Sequence, residues 1–431
     1  MKNKFFVLVG LMVFSWSSQA YSQSLTEMIS QSLANNPDVQ AAQSNMQAVE
    51  TQINQAKSGF LPVIDLNLGF GLEESDNTTT RSAAGDHRQT LRRGESGIQL
   101  TQPLFDGFKT KHDRARAEAL YLAAKNSFEQ ASEIVASNTV SSYLEVVKRH
   151  ELLELIKDNV VLHQRALDKI KRKAEVGGGN KVDVQQTESR LALNLSSHSL
   201  GLIGLKNSHS RFFRISGQKA SELFRPVPDA ALMPASLDEA IEAAMKNHPA
   251  IQAAEANLAA AKAEKEGARA SLLPEVDLEL GYDNNGNISG AEGHSHSLSA
   301  MVKLNYNLFR GGADKARGQE LLNRVEQRLA LLEQVRQDTR EQIENSWETL
   351  TESQNRIRHL RNHVQISQVV TKSYNDQFKM GKRTFLDVLN SETELFNART
   401  ALITAELENL KSAYQILAHM GIMRRSLEGG Q

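Results

Sequence analysis

The sequence contains no cysteine. That absence excludes disulfides, a thiolate metal site and a cysteine nucleophile, and it removes the residue on which an N-terminal lipid anchor would be built. Proline is scarce, with eight in 431 residues. None lies within 104–225 or 275–431, so those stretches are free to run as long helices. Aromatic residues make up 6% of the chain and hydrophobic residues 40%, with a mean hydropathy of −0.43. That is lean for one compact core and suits an elongated helical body with water on more than one face. Fifty basic residues against 51 acidic ones leave no cationic excess of the kind nucleic acid demands. After the N-terminal segment, no apolar run approaches the roughly 20 residues of a membrane-spanning helix. A membrane protein built from this sequence must therefore cross as strands.

The N-terminal segment reads as a secretory signal over residues 1–20. Lys2 and Lys4 supply the positive charge, 5–16 the apolar stretch, and Ser18-Gln19-Ala20 the small-residue cleavage site, so the mature chain is expected to start at Tyr21.

The most informative feature is an internal duplication. Ser24-Leu25, Asn35, Pro37, Gln40-Ala41-Ala42, Asn45, Leu61-Pro62 and Asp65-Leu66 recur as Ser236-Leu237, Asn247, Pro249, Gln252-Ala253-Ala254, Asn257, Leu273-Pro274 and Asp277-Leu278. Further on, Leu104-Phe105, Gly177, Asp183-Val184, Glu188, Leu191 and Gly217 recur as Leu308-Phe309, Gly381, Asp387-Val388, Glu392, Leu395 and Gly421. The only length change falls in a polar loop between these two stretches. The prolines punctuate the same plan: Pro37 and Pro249 interrupt the first helix of each copy, Pro62 and Pro274 precede strands, and Pro226, Pro228 and Pro234 mark a linker. The expected organisation is a first repeat over 21–217, a linker over 218–235, a second repeat over 236–421 and a tail over 422–431.

Within each copy the order is helix, strand, loop, strand, helix, turn, helix. Ile64, Leu66, Leu68 and Phe70 alternate with Asp65, Asn67 and Gly69, as Val276, Leu278, Leu280 and Tyr282 do with Asp277, Glu279 and Gly281. Strands are expected over 63–70, 97–103, 275–282 and 298–308, with helical hairpins over 108–216 and 312–420. One apolar and one polar face is the pattern of a barrel wall between lipid and water. A half-buried soluble sheet alternates in the same way; the export signal, the duplication and the long polar loops favour the barrel. Leu66, Leu278 and Val302 are then expected to face lipid, and Asp65, Asp277 and Lys303 the lumen.

Four strands cannot close, because transmembrane barrels start at about eight strands and an open edge in lipid leaves unpaired backbone groups. Three copies give a twelve-stranded barrel with room for a lumen. The helices add length: 108–175 spans roughly 100 Å at about 1.5 Å per residue. Two half-length helices stacked end to end match one full-length helix, as in the wall of a tube. Ala115, Ala117, Ala119, Ala123 and Ala124 permit close side-by-side packing.

Two glycine-bearing turns join the helix pairs: Val176-Gly177-Gly178-Gly179-Asn180 and Met380-Gly381-Lys382-Arg383-Thr384. Glycine permits the left-handed conformation of a tight reversal. No Gly-Lys-Ser/Thr follows the triple glycine, which excludes a phosphate-binding loop. Asp183 and Asp387 occupy equivalent places one turn beyond the tips, where an acid also simply complements a helix dipole. His294 and His296 are two imidazoles without further ligands, short of a metal site, and are expected on a solvated outer loop. No catalytic set and no cofactor motif is apparent. The remaining rival is a secreted coiled-coil structural protein, which explains the helices but not the strands.

The duplicated unit, the Asn-x-Pro joint, Leu-Phe-x-Gly after the second strand and a Gly followed six residues later by Asp-Val resemble the TolC family of outer-membrane channels. The sharpest part is Phe378-Lys379-Met380-Gly381-Lys382-Arg383-Thr384-Phe385-Leu386-Asp387-Val388-Leu389. The resemblance covers nearly all of the mature chain. It implies a mainly α protein with a β-barrel part: a homotrimer with a twelve-stranded transmembrane barrel in the outer membrane of a Gram-negative bacterium, continued by a helical tunnel across the periplasm. It implies a periplasmic adaptor and an inner-membrane ABC transporter or proton-driven pump as partners, with no enzyme activity and no cofactor. It makes the two turns the tips that touch the adaptor. It assigns Asp387 to a lumen-facing acidic ring, and Arg383 and Asp183 to charged contacts that hold the tip closed. Asn390 stands where the family has a second ring acid, which lowers the acidic field at the constriction. Asp106-Gly107-Phe108 and Gly311-Gly312-Ala313-Asp314 look most like members serving type I protein secretion, including adhesin export.

Overall fold

The computed structural model describes residues 25–82, 88–178, 180–220 and 223–424. The secretory segment over 1–20 and most of the tail lie outside the described residues. Each copy opens with a helix pair broken at proline: α1 (Leu25–Asn35) and α2 (Pro37–Ser58), then α6 (Leu237–Asn247) and α7 (Pro249–Gly267). The two breaks are built alike. Asn36 Oδ1 accepts the Asp38 N–H at 2.9 Å, and His248 Nδ1 accepts the Ala250 N–H at 3.3 Å. The Gln40 amide reaches back to the Ala34 carbonyl at 3.0 Å, and Gln252 does the same to Lys246 at 3.1 Å.

The strands β1 (Val63–Ser75), β2 (Gln89–Phe105), β3 (Glu275–Gly286) and β4 (His294–Asn305) form one antiparallel sheet in the order β1-β2-β3-β4. A short helix, α3 (Thr78–Ser82), lies between β1 and β2. Residues directly opposite in an antiparallel ladder share a face. Leu66 pairs with Ile98, Ile98 with Tyr282 and Tyr282 with Leu298, so one apolar face runs unbroken across all four strands. The other face carries Asp65, Gln99, Asp277, Glu279 and Lys303, and Lys303 Nζ meets Glu279 Oε2 at 2.5 Å. The apolar face is bare within one chain; Phe70 is 87% and Leu298 83% exposed. The outer edges of β1 and β4 have no ladder partner among the described residues.

Strand extents differ from the sequence reading. β2 starts at Gln89 rather than near 97, because Arg92, Arg93, Gly94, Glu95 and Gly97 hide any alternation and only pairing with β1 and β3 makes this segment a strand. β4 runs from His294 to Asn305 rather than over 298–308. Its ladder stops where its partner β3 begins, at Glu275 after Pro274, whose ring nitrogen has no hydrogen to donate. His294 and His296 are therefore strand residues, not loop residues, which corrects the expectation from sequence.

The helical layer consists of α4 (Lys109–Glu175) and α8 (Ala313–Lys379), each of 67 residues, with α5 (Lys181–Ser216) and α9 (Phe385–His419) returning from their ends. α4 packs against α2 and α5 on one side and against α7 and α9 on the other; α8 packs against α7 and α9. The lateral order is thus α2/α5, α4, α7/α9, α8, with half-length helices stacked to match a full-length one. Ala117, Ala123 and Ala124 of α4 are buried, as are Ala253, Ala256 and Ala260 of α7. Small side chains let the two backbones approach closely.

The largest core lies midway along the helices, where α1, α4, α5 and α9 meet the linker around Tyr143, Phe212, Met28 and Leu417. Tyr143 Oη donates to the Phe224 carbonyl at 3.1 Å and accepts the Phe224 N–H at 3.0 Å. Next to it, Arg225 grips Glu151 through two bonds of 2.8 and 2.5 Å and Glu406 through one of 2.6 Å. Arg361 of α8 meets the same Glu406 at 2.8 Å. A linker that the sequence marks only by prolines is thereby stapled to α4 and α9, with α8 joined through Glu406.

Candidate functional site

Both helix reversals lie at the end of the helical layer farthest from the sheet. In the first, the α4 C-terminus closes through Gly177 N–H to Ala174 O at 3.1 Å and Gly178 N–H to Lys173 O at 3.0 Å. Gly177 adopts φ 75°, the left-handed region where a side chain would be strained. Gly179 lies outside the described residues. Asn180 caps α5 by accepting the Val182 N–H at 3.0 Å. Asp183 follows, half-buried, with its carbonyl taking the Thr187 hydroxyl at 2.7 Å. Among the described residues Asp183 makes no ion pair within one chain.

The second reversal repeats this plan. Gly381 adopts φ 73°, and Lys382 N–H reaches back to Gln377 O at 2.9 Å. Thr384 and Asp387 form a reciprocal capping box: Asp387 N–H donates to Thr384 Oγ1 at 3.2 Å, while the Thr384 N–H and hydroxyl donate to Asp387 Oδ2 at 3.2 and 2.8 Å. The Thr384 hydroxyl, then its backbone N–H, hold the Asp387 carboxyl below the usual carboxylate range. Arg383 stacks on the Tyr374 ring at 4.4 Å, donates to Gln377 Oε1 at 3.1 Å, and lies 3.9 Å from Asp387. Within one chain the structure thus brings Arg383 to Asp387 and not to Asp183. Val176 and Met380, 83% and 61% exposed, crown the two tips.

The hairpins meet just above their tips. Ile170 of α4 packs with Phe385 and Leu389 of α9, joined by Val184 and Phe378. Lys173 Nζ lies 5.1 Å above the Phe378 ring. Two turns higher, Arg190 of α5 donates to Asn390 Oδ1 at 2.7 Å and to Thr393 Oγ1 at 3.1 Å. Asn390 is therefore half of a polar tie between hairpins. Sequence reasoning missed Arg190. Its spacing from Asp183 and Thr187 puts it on one face of α5, but the partner face of α9 is 200 residues away in sequence.

A second titratable group lies at the waist. Glu133 of α4 accepts the N–H groups of Met423 and Arg424 at 3.2 and 3.1 Å, fastening the segment that follows α9. Burial pushes its carboxyl up to about 7. His248 and His419 line the same cavity, and burial lowers both, His248 to about 4. No group of three or more His, Cys, Asp or Glu residues among those described is placed to hold a metal ion.

The tip geometry, the four-stranded sheet with two free edges and the stacked helices can be compared with known proteins. The family model for outer membrane efflux proteins matches residues 28–202 and 240–421, one stretch per copy. The chain belongs to this outer membrane efflux protein family, the TolC family. Its relatives include outer membrane efflux protein BepC of Brucella suis, 24% identical over 94% of this chain and 86% of that one. They also include TolC of Escherichia coli K12, 22% identical over 98% and 87%. Alkaline protease secretion protein AprF of Pseudomonas aeruginosa is 22% identical over 96% and 88%. Among solved structures, the CmeC outer membrane channel of Campylobacter jejuni superposes with a TM-score of 0.80 at 14% identity, covering 98% of this chain and 94% of that one. The outer-membrane channel OprN gives 0.81 at 20% identity, covering 92% and 89%. As a TolC-family member the chain is an outer-membrane channel that extends into the periplasm. TolC-family channels are homotrimers that work with periplasmic adaptors and inner-membrane pumps. The bare apolar face of the sheet is the one that the strand alternation assigns to lipid.

Proposed function

We propose that three copies of this chain form the exit duct of a type I protein-secretion machine, passing an adhesin-like polypeptide from an ATP-driven inner-membrane transporter and its adaptor to the outside. The support for a duct is the pair of free edges: a sheet open at β1 and β4 above a helical layer open at α2/α5 and α8. Closing both edges at once requires a ring of copies. The support for protein cargo is the pair of strand-to-helix junctions. Gly107 and Phe108 both adopt φ 67°, and Gly311 and Gly312 adopt φ 60° and 89°, so each copy turns from barrel to tunnel through two successive left-handed residues. These are the residues whose pattern resembles secretion members, and one relative is named for protease secretion. The second reading is small-molecule efflux, favoured by the relative named as an efflux protein. Deleting the gene and measuring large secreted or surface-attached protein alongside drug susceptibility separates them. Loss of the protein with unchanged susceptibility supports secretion; the converse assigns efflux.

The tips act as gate and adaptor contact in this proposal. Val176, Gly177, Gly178, Gly179, Asn180, Met380, Gly381, Lys382, Arg383 and Thr384 present the docking surface. Three copies of Asp387 in a low-dielectric constriction concentrate a negative potential that favours cations. Asp183 and Arg383 pair between subunits and bias the closed state, while Asn390 is neutral and held by Arg190.

A further inference from the structure

On the lipid-facing side of the sheet, the apolar band ends in an ordered way. Reading down one face, β3 runs Val276, Leu278, Leu280, Tyr282 and then Asn284, and β4 runs Leu304, Val302, Ala300, Leu298 and then His296 and His294. The change comes at the end of the sheet away from the helices, hence at the outer leaflet. At this boundary, one register row reads Phe70, Gly94, Gly286, His294 across the four strands. Gly94 leaves a slot between the Phe70 ring and an imidazole that covers the neighbouring Gly286. The His294 ring leans over Gly286, where an added Cβ would meet its Cε1 and Nδ1 at 3.2 Å. An added Cβ at Gly94 would meet nothing within 4 Å. The next row outward carries Leu72 and Arg92; the next row inward carries Leu68, Ser96, Asn284 and His296. The resulting groove has a volume of about 520 Å³.

Of the charged side chains that line the groove, Glu95 is paired with Arg93, which leaves Arg92 uncountered among the described residues. Arg92 is exposed and makes no ion pair among the described residues, although its carbonyl takes the Asn287 amide at 2.9 Å. The nearby acid on the same face, Glu74, is 3.7 Å from Arg88 and so is already countered. A cation at the upper rim of a lipid-facing wall, above a slot floored by Gly94 and walled by Phe70, combines an anion contact with an apolar berth. We propose that this groove binds a phosphate-bearing glycolipid of the outer leaflet. Arg92 and His294 take the phosphate, Asn284 and Ser96 line the sugar side, and the open space over Gly94, between Phe70 and the His294 ring, admits the first part of an acyl chain. The groove continues the lipid-facing band, which is why a lipid and not a soluble anion is the occupant.

The test uses the full-length trimer in a neutral detergent and native mass spectrometry with three probes: bisphosphorylated lipid A, the same lipid without phosphates, and inorganic phosphate. The wild-type trimer is expected to retain the bisphosphorylated lipid at least about tenfold better than the dephosphorylated form, as the loss of a charge-assisted contact implies. Arg92→Gln and His294→Asn each reduce that preference. Gly94→Phe fills the slot, which has open space for a side chain, and lowers retention of both lipids with the trimer intact. Equal retention of the two lipids overturns the proposal, as does unchanged retention in Gly94→Phe and Arg92→Gln. Displacement of the lipid by inorganic phosphate alone also overturns it, because the groove would then be a free-anion site.

Discussion

Glu133 offers the sharpest quantitative handle, because its buried carboxyl takes both backbone N–H groups of Met423 and Arg424, just beyond α9. The reference carboxyl titrates at 4.5 and burial carries Glu133 to about 7. Below 4.5 both folded and opened forms hold the proton, so the fastening is unpenalised. As pH rises through the window from 4.5 to about 7, the opened form loses its proton first and folding stability falls. At about 1.4 kcal/mol per pKa unit, this amounts to as much as roughly 3 kcal/mol by pH 8. Glu133→Gln keeps one acceptor and removes the proton. It gives up one of the two N–H bonds, a loss of about 1 kcal/mol that is the same at every pH. His248 and His419 titrate alike in both proteins and cancel. Hydrogen–deuterium exchange of a peptide covering 417–424, compared between wild type and variant at pH 5 and pH 8, reads the difference. The wild-type protein is expected to lose up to about 100-fold of its protection relative to the variant between those pH values. A ratio that stays constant from pH 5 to pH 8 would show that the carboxyl is solvated in the native state, and the burial argument would be refuted.

Three further outcomes follow from the same geometry. Leu278→Arg, on the lipid face, is expected to cost about 2–4 kcal/mol and reduce assembly, whereas Asp277→Ser on the opposite face leaves assembly intact and alters conductance; equal behaviour would mean the faces are wrongly assigned. Arg383→Glu takes a cation off the Tyr374 ring and places two acids beside each other at the tip, so single-channel conductance in planar bilayers should rise with trimers intact, and an unchanged conductance would remove Arg383 from the gate. Cross-linking in detergent should stop at three subunits, and a channel-active monomer would contradict the edge argument.

The duplication, the strand alternation and the absence of proline from the long helices were legible in the sequence because each is a local signal with a fixed period. Pro37 and Pro249, or Gly177 and Gly381, announce breaks and reversals through their own backbone preferences, independent of what they pack against. The Thr384–Asp387 capping box is local in the same sense, joining residues three positions apart. The first half of β2 was not legible. Its charged and glycine positions carry no period, and only the ladders to β1 and β3 make it a strand. The staple of Arg225 on Glu151 and Glu406, and the tie of Arg190 to Asn390, join residues from 74 to 200 positions apart. Nothing in one sequence says which distant carboxylate or amide a guanidinium will meet, because that depends on which helix faces the tertiary packing sets against each other. Local signals thus specify the main helices, strands and their repetition, whereas which polar groups meet across them follows from packing, since burial and pairing are properties of packed surfaces and not of local sequence.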